Sequence, residues 1–364
     1  MVIAAMSTAC CLAVFIKFPF HWMNTYIPSR LWLVFACLGI GFQVWNTSGQ
    51  VLRLPTANRA ILEPGKEDQY FVGTVGKPWL SGAFGCVRSN GRTLHEGIDI
   101  KCLQRDRKGE PIDPIFATAD GAVVYVNTRP ALSNYGNYLI LRHVIDGLEI
   151  YSLYAHLSAV RSDLRVGRTV KAGEVIGTMG RTANTREGIS RERAHVHFEL
   201  NLLVNDRFAS WYKRHFPDQR NDHGAWNGRN MVGLDPRAIL VAAHEMGARF
   251  SLLQYVRQQT ELCRVLVRAT RFPWIQRYPT LIRRNPVVDR EGIAGYEIAL
   301  NFNGVPFELI PRAKSELKTK AAVHLLSVNE AERKKNPCRN LVVRKGQRWL
   351  LGEAGRNLID LLTY

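Results

Sequence analysis

Residues 194–200 read AHVHFEL, two histidines two positions apart followed by phenylalanine, glutamate and leucine. The run is rich in strand-forming residues, so His195 and His197 fall on one side while Val196 and Phe198 point into the opposite layer. Two imidazoles on one face of a strand have the look of half a metal site. The bland alternative is a strand that happens to carry them, and what the rest of the chain offers decides between the two.

The neighbouring sequence is built the same way. From about residue 72 to 240 the chain consists of short apolar or alternating runs bounded by Gly, Asn, Asp or Ser: 119–126 (ADGAVVYV), 137–143 (NYLILRH), 149–157 (EIYSLYAHL) and 195–200 (HVHFEL). Between them, residues 166–180 (VGRTVKAGEVIGTMG) place a glycine every few positions, a rhythm of tight turns rather than of a helix. This pattern predicts a mainly β domain over residues 72–239, a compact antiparallel β-sandwich. A polar stretch with aromatic residues, 205–232, reads as an insertion whose Trp211, Tyr212 and Trp226 either wall a groove or pack the base of the insertion.

From residue 240 the texture becomes that of one long amphipathic helix, through residues 242–269 (AAHEMGARFSLLQYVRQQTELCRVLVRA), which predicts a domain boundary near Ile239. Further on, YEIALNF-NG-VPFELI predicts a hairpin turning at Asn303-Gly304, with Pro306 on an edge strand. A last helix over 353–362 closes a smaller α+β domain, residues 240–364. A length of 364 residues, beyond the usual reach of one core, agrees with two domains.

The formal charge of +18 implies anionic surroundings: nucleic acid, lipid head groups or acidic cell-wall polymers. Residues 240–364 hold 21 Lys and Arg against 11 Asp and Glu but no nucleic-acid motif, so no nucleic acid is expected as partner. The N-terminus has two apolar pieces, residues 2–16 and 31–41, each short of the roughly 20 residues that span a bilayer. Translation from Met23 would give a basic leader, an apolar core over 31–41 and a small-residue exit at Thr47-Ser48-Gly49. Residues 1–49 are therefore expected to be a signal peptide or membrane anchor, with a linker over 50–71 and the chain exported to the periplasm or cell envelope. Residues 34–37 (VFAC) only loosely resemble a lipoprotein cleavage site, because Phe35 is bulky for its position. Beyond the leader stand Cys86, Cys102, Cys263 and Cys338; Cys86 and Cys102 flank one motif, and spacing does not determine the pairing.

Five of the ten histidines, His95, His143, His156, His195 and His197, crowd into the β region. His95 and Asp99 sit in LHEGIDI, where an even spacing returns both side chains to one face and Gly97 allows a bend. His95, Asp99 and one member of the His195/His197 pair would make a two-histidine, one-carboxylate zinc site with an open fourth position, the catalytic type. Such zinc lowers the pKa of bound water to about 7 and polarises a carbonyl, which suits amide hydrolysis. Spacing leaves open which histidine of the pair binds.

HEGIDI, DGAVVYV, the block GNYLILRH…IYSLYAHLS, a glycine series through Leu164, Gly167, Val170, Gly173, Ile176 and Gly177, and AHVHFE follow one another in an order that resembles the lysostaphin/LytM-type zinc metallopeptidases. The likeness covers about residues 81–240. It implies a duplicated hybrid motif fold holding one Zn²⁺ per chain and cleaving peptide cross-links of bacterial peptidoglycan. It also implies His95, Asp99 and His197 as ligands, with His156 and His195 as catalytic residues that orient or deprotonate water and stabilise the oxyanion. His143 matches a histidine often seen in the family, where a packed role is expected.

Two departures from the family bear on the substrate: a long charged segment before AHVHFE, with Arg181, Arg186, Arg191 and Arg193, and the 205–232 insertion. His21, His215, His223, His244 and His324 lie outside every motif. The competing readings are a catalytically inactive binding or activator protein of cell-wall hydrolases and a zinc peptidase acting on a protein target.

Overall fold

The computed structural model describes residues 52–364 apart from 187, so the expected leader or anchor lies outside the described residues. The glycine-punctuated region forms short antiparallel strands, mostly turned at its Gly, Asn and Asp residues. Strand β1 (Gly85–Arg88) pairs with β2 (Thr93–His95) across a turn in which Ser89, Asn90 and Gly91 all take positive φ. After one further turn comes β3 (Ile98–Lys101).

The main sheet is built from β4 (Gly121–Asn127), β5 (Asn137–Ile145), β6 (Leu148–Leu157), β7 (His195–Leu203) and β8 (Met231–Leu234), in the order β8-β7-β6-β5-β4. Strands β5 and β6 meet at a two-residue Asp146-Gly147 turn with φ of 53° and 71°, the geometry that matches strand twist. Strand β7 has β6 along one edge, while its other edge is shared: β3 pairs with residues 195–198 and β8 with 200–203. A smaller sheet of Pro114–Phe116, Val175–Thr178 and Ala159–Val160 supplies a second layer. Between the layers lie Ile115, Leu139, Tyr154, Ile176, Val196 and Phe198, so the inward face of AHVHFEL is core as predicted.

Residues 205–232 leave the sheet between β7 and β8 and carry helix α1 (Phe208–His215). Trp211 and Tyr212 are buried, whereas Trp226 lies against Tyr151 at a ring distance of 5.3 Å and lines the groove above the sheet. The excursion thus does both things expected of its aromatic residues.

The C-terminal part departs from the expected single long helix. Asp235 caps α2 (Pro236–Met246), which ends where Gly247 takes φ 54°. Helix α3 (Leu252–Arg257) follows, and residues 263–267 (CRVLV) are strand β9 (Cys263–Val267), because alternating β-branched Val265 and Val267 outweigh the helical texture before them. With β10 (Gly295–Leu300), β11 (Pro306–Arg312) and β12 (Val323–Val328) it forms a second sheet in the order β11-β10-β9-β12, which places Pro306 on an edge strand. The hairpin turn is longer than two residues: the Asn301 side chain accepts from the Asn303 and Val305 amides, and Gly304 takes φ 91°. Helix α4 (Glu353–Thr363) closes the chain.

Ile239 lies inside α2, and the buried core runs unbroken from Leu200 and Leu202 through Ile239 and Leu240 to Leu361 and Leu362. Polar links span the same junction, with Asn205 Nδ2 donating to the Leu361 carbonyl at 2.7 Å and Trp211 Nε1 to Asp360 at 2.6 Å. The disulfide joins Cys86 on β1 to Cys338, while Cys102 and Cys263 are buried free thiols.

Candidate metal centre and groove

The register of β3 against β7 sets Asp99 directly across from His197, so their side chains stand together on the groove face. His95, at the end of β2, completes a cluster in which one ligand atom from each residue lies within 4.8 Å of the others. His95 Nε2 is 3.1 Å from His197 Nδ1 and 3.2 Å from Asp99 Oδ1, and His197 Nδ1 is 2.9 Å from the same oxygen. Gly97 stands at the expected bend between β2 and β3, and its lack of a side chain also permits this approach. A Cβ there would lie 2.3 Å from the Phe198 carbonyl oxygen and 2.8 Å from Glu199 Cγ.

Each imidazole is held by its outer nitrogen. Nδ1–H donates to the Ala83 carbonyl from His95 (2.8 Å), to Arg193 from His195 (2.6 Å) and to Thr182 from His156 (2.9 Å), leaving Nε2 as the free nitrogen of each ring. His197 is turned the other way. Its Nε2–H donates to the buried Glu199 carboxylate at 2.8 Å, which leaves Nδ1 for the centre. This is the outer-shell pattern that selects a tautomer and orients a metal-binding histidine. The donor set, two imidazole nitrogens and one carboxylate oxygen converging on a point, fits zinc.

His156 reaches the cluster against strand parity. Ala155 is the register partner of His197, so an undisturbed β6 would send His156 to the opposite face. A register shift against β5 and a left-handed φ of 62° at His156 re-aim it. Its ring centroid lies 4.9 Å from that of His195 and 6.0 Å from that of His197. A left-handed histidine costs about 1–3 kcal/mol, which the surrounding hydrogen bonds must hold in place.

The electrostatics follow from burial and these contacts. Burial alone would raise the Asp99 pKa, but His95, His195 and His197 outweigh it and hold the carboxyl well below the usual range. Arg88 Nη2 donates to its other oxygen at 2.7 Å, leaving Oδ1 for the centre. Burial would lower His197, yet its bonds to Asp99 and Glu199 raise it to about 9. Burial lowers His195, and burial with the neighbouring His195 and His197 holds His156 well below its ordinary value, so both rings are neutral near pH 7.

All five expected residues therefore line one groove of about 510 Å³ or meet at its floor, together with Tyr135, Tyr138, Arg193, His223 and Trp226. His143 stands apart, bonded to the Asp120 carbonyl at 2.9 Å and Ser152 at 2.7 Å, in keeping with a packed role. The structure adds residues that the sequence reading left out. Tyr135 donates to Glu199 at 2.6 Å, Asn201 donates to it at 2.7 Å, and Arg88 braces Asp99. For Glu199 and Asn201 a signal was available, since both continue the i, i+2 face of His195 and His197; for Arg88 and Tyr135 there was none. Of the charged segment before β7, Arg181 and Arg191 both pair with Glu110, at 2.8 and 3.0 Å, and Arg193 bonds the Gly73 carbonyl. These charges pin the segment down.

Residues 93–207 match Peptidase family M23. Lipoprotein NlpD of Yersinia enterocolitica is 42% identical over 95 residues, 26% of this chain and 84% of that protein. The chain belongs to peptidase family M23. Within the family, the murein hydrolase activator NlpD of Escherichia coli (strain K12) is 41% identical over 106 residues, but the chain spans only 22% of its length. Cell division protein DipM of Caulobacter vibrioides is 28% identical over 155 residues, again 22% of that protein. Among solved structures, the catalytic domain of lysostaphin from Staphylococcus simulans aligns with 47% of this chain and 88% of its own, at 20% identity and a TM-score of 0.25.

Proposed function

We propose that this M23 chain is an exported zinc metalloendopeptidase that hydrolyses peptide cross-links of bacterial peptidoglycan. The observation that carries this reading is the completeness of the constellation: three converging ligand atoms beside two neutral, oriented histidines, at the floor of an open groove. His95, Asp99 and His197 would hold the zinc, which when bound acts as a Lewis acid and eases ionisation of water.

The remaining chemistry belongs to the chain. Neutral His195 and His156, with Nδ1–H committed to backbone carbonyls, each offer an Nε2 lone pair toward the groove. The ring that takes a proton from the attacking water becomes an imidazolium, whose Nε2–H then donates to the oxyanion or to the departing amine. Such proton transfer contributes roughly 10²- to 10⁴-fold in rate. Tyr135, Tyr138 and Trp226 wall the groove and give a peptide apolar surface to lie on.

Export agrees with the Cys86–Cys338 disulfide, since such bonds persist in oxidising compartments. Among the described residues no helix is long and apolar enough to cross a membrane. The names of the relatives favour a second reading, in which the chain activates a murein hydrolase without cutting anything itself. Mass spectrometry of products released from purified peptidoglycan by the zinc-loaded protein distinguishes the two. Peptide cleavage that disappears with a chelator supports the peptidase; a folded protein that cleaves nothing yet stimulates a separate hydrolase supports the activator.

A further inference from the structure

A second cavity, of about 860 Å³, adjoins the metal groove, and Glu96 and Gly228 line both. Its other walls come from the excursion between β7 and β8, which contributes Trp211 and Arg229, and from the C-terminal part, which contributes Arg339, Asn340 and Asn357. Apart from Glu96, every residue lining it lies outside the stretch that matches family M23. The cavity is therefore built almost entirely outside the matched stretch.

Arg339 is its unusual feature. Among the described residues no hydrogen bond or ion pair reaches its guanidinium, and its Nε is enclosed without a partner. Arg264, Arg277 and Arg312, all partly buried, each hold at least one carboxylate. Burial pushes the Arg339 pKa down, with the charge of Glu96 opposing it. Arginine does not give up its proton in proteins, so the charge stays and its enclosure costs free energy until an anion pairs with it.

The backbone on either side of Arg339 is held. Cys338 next to it is bonded to Cys86, and Asn340 after it takes φ 49° while its side-chain oxygen accepts from Arg333 at 2.6 Å. A guanidinium carried on a held backbone matches a carboxylate with two parallel hydrogen bonds, and its planar fork limits the entropy lost on doing so. Arg229, fixed over the Phe216 ring at 4.2 Å, and the amides of Asn340 and Asn357 add donors to the same walls.

We propose that this cavity is a carboxylate subsite, in which Arg339 pairs with a carboxylate on an arm of the peptide whose scissile bond lies at His95, Asp99 and His197. It rests on the peptidase reading for the identity of the ligand, but binding can be tested without turnover. The probe is a synthetic peptidoglycan stem pentapeptide with its carboxylates free, paired with the same peptide fully amidated. Both are titrated calorimetrically into the zinc-loaded full chain carrying His195→Ala, alone and combined with Arg339→Met or Arg339→Lys.

The expected result is a preference of about ten- to a hundredfold for the free acid, abolished by Arg339→Met and partly kept by Arg339→Lys. With His195 restored, Arg339→Met should raise KM for the free acid and leave kcat. Equal loss of both peptides in Arg339→Met, an unchanged preference, or no binding of either peptide overturns the subsite. An Arg339-dependent preference in a protein that never cleaves peptidoglycan upholds the subsite and removes the peptidase reading.

Discussion

Replacing Glu199 by glutamine keeps the volume of the side chain and removes its charge. Three donors converge on this buried carboxylate: His197 Nε2 at 2.8 Å and Tyr135 Oη at 2.6 Å on one oxygen, and Asn201 Nδ2 at 2.7 Å on the other. Glutamine has a single oxygen, which can still receive His197 and Tyr135, but its NH₂ then faces the NH₂ of Asn201. His197 exchanges a charge-assisted bond for a neutral one, and its Nδ1 becomes a weaker donor to the metal. Outer-shell changes of this kind cost about 10- to 100-fold in metal affinity, or about 1.4–2.7 kcal/mol. Competition with a chromophoric chelator at neutral pH measures the zinc Kd directly, with far-UV circular dichroism to show that the variant is folded. A folded Glu199→Gln protein whose Kd stays within about twofold of the parent would refute the orienting role assigned to Glu199.

The two histidines of AHVHFEL should separate: His197→Ala loses zinc, whereas His195→Ala keeps about one equivalent and loses roughly 10²- to 10⁴-fold in turnover, and equal zinc loss in both would overturn the division of roles. Gly97→Ala should force β3 away from β7, because its Cβ would meet the Phe198 oxygen at 2.3 Å, and metal analysis showing full zinc content would contradict this. Replacing Cys86 and Cys338 by serine should lower unfolding stability by about 2–4 kcal/mol, and an unchanged denaturant midpoint would count against the disulfide as a brace. Burial lowers the His143 pKa from 6.5 to about 4, so the native state binds fewer protons than the unfolded chain between those values. Stability is then fully present above pH 6.5 and falls by about 3 kcal/mol as pH drops toward 4. Urea unfolding of the metal-free protein should show this slope, to which the buried His156 and His195 also contribute, and His143→Gln should reduce it by about that amount; curves parallel to those of the parent would exclude the assignment.

The legible part of the fold was the part in which period and turn chemistry agree. The alternation in β7, the Asp146-Gly147 hairpin and the glycine rhythm of 166–180 each leave the backbone one economical solution. The C-terminal part was harder, because residues 240–262 do favour helix and only packing at the centre of the second sheet turns CRVLV into β9. The bend at Gly97 was legible, whereas its close approach to Phe198 was not, since a contact with another strand leaves no local trace.

The sequence by itself determined the strand character of AHVHFEL, the shared face of His195 and His197, and, through ordered motifs, the family and its five candidate residues. Periodicity carries that much because a side chain's face depends on its immediate neighbours. Tertiary structure alone decided that His156, on the wrong face by parity, is turned into the groove by a bulge and a left-handed φ. It alone decided that Glu199 and Arg88 brace His197 and Asp99, that Cys86 pairs with Cys338 across 252 residues, and that Arg339 lacks an ion pair in the cavity it lines with Glu96. These are meetings of residues far apart in the chain, set by strand register and core packing, and no local pattern encodes them.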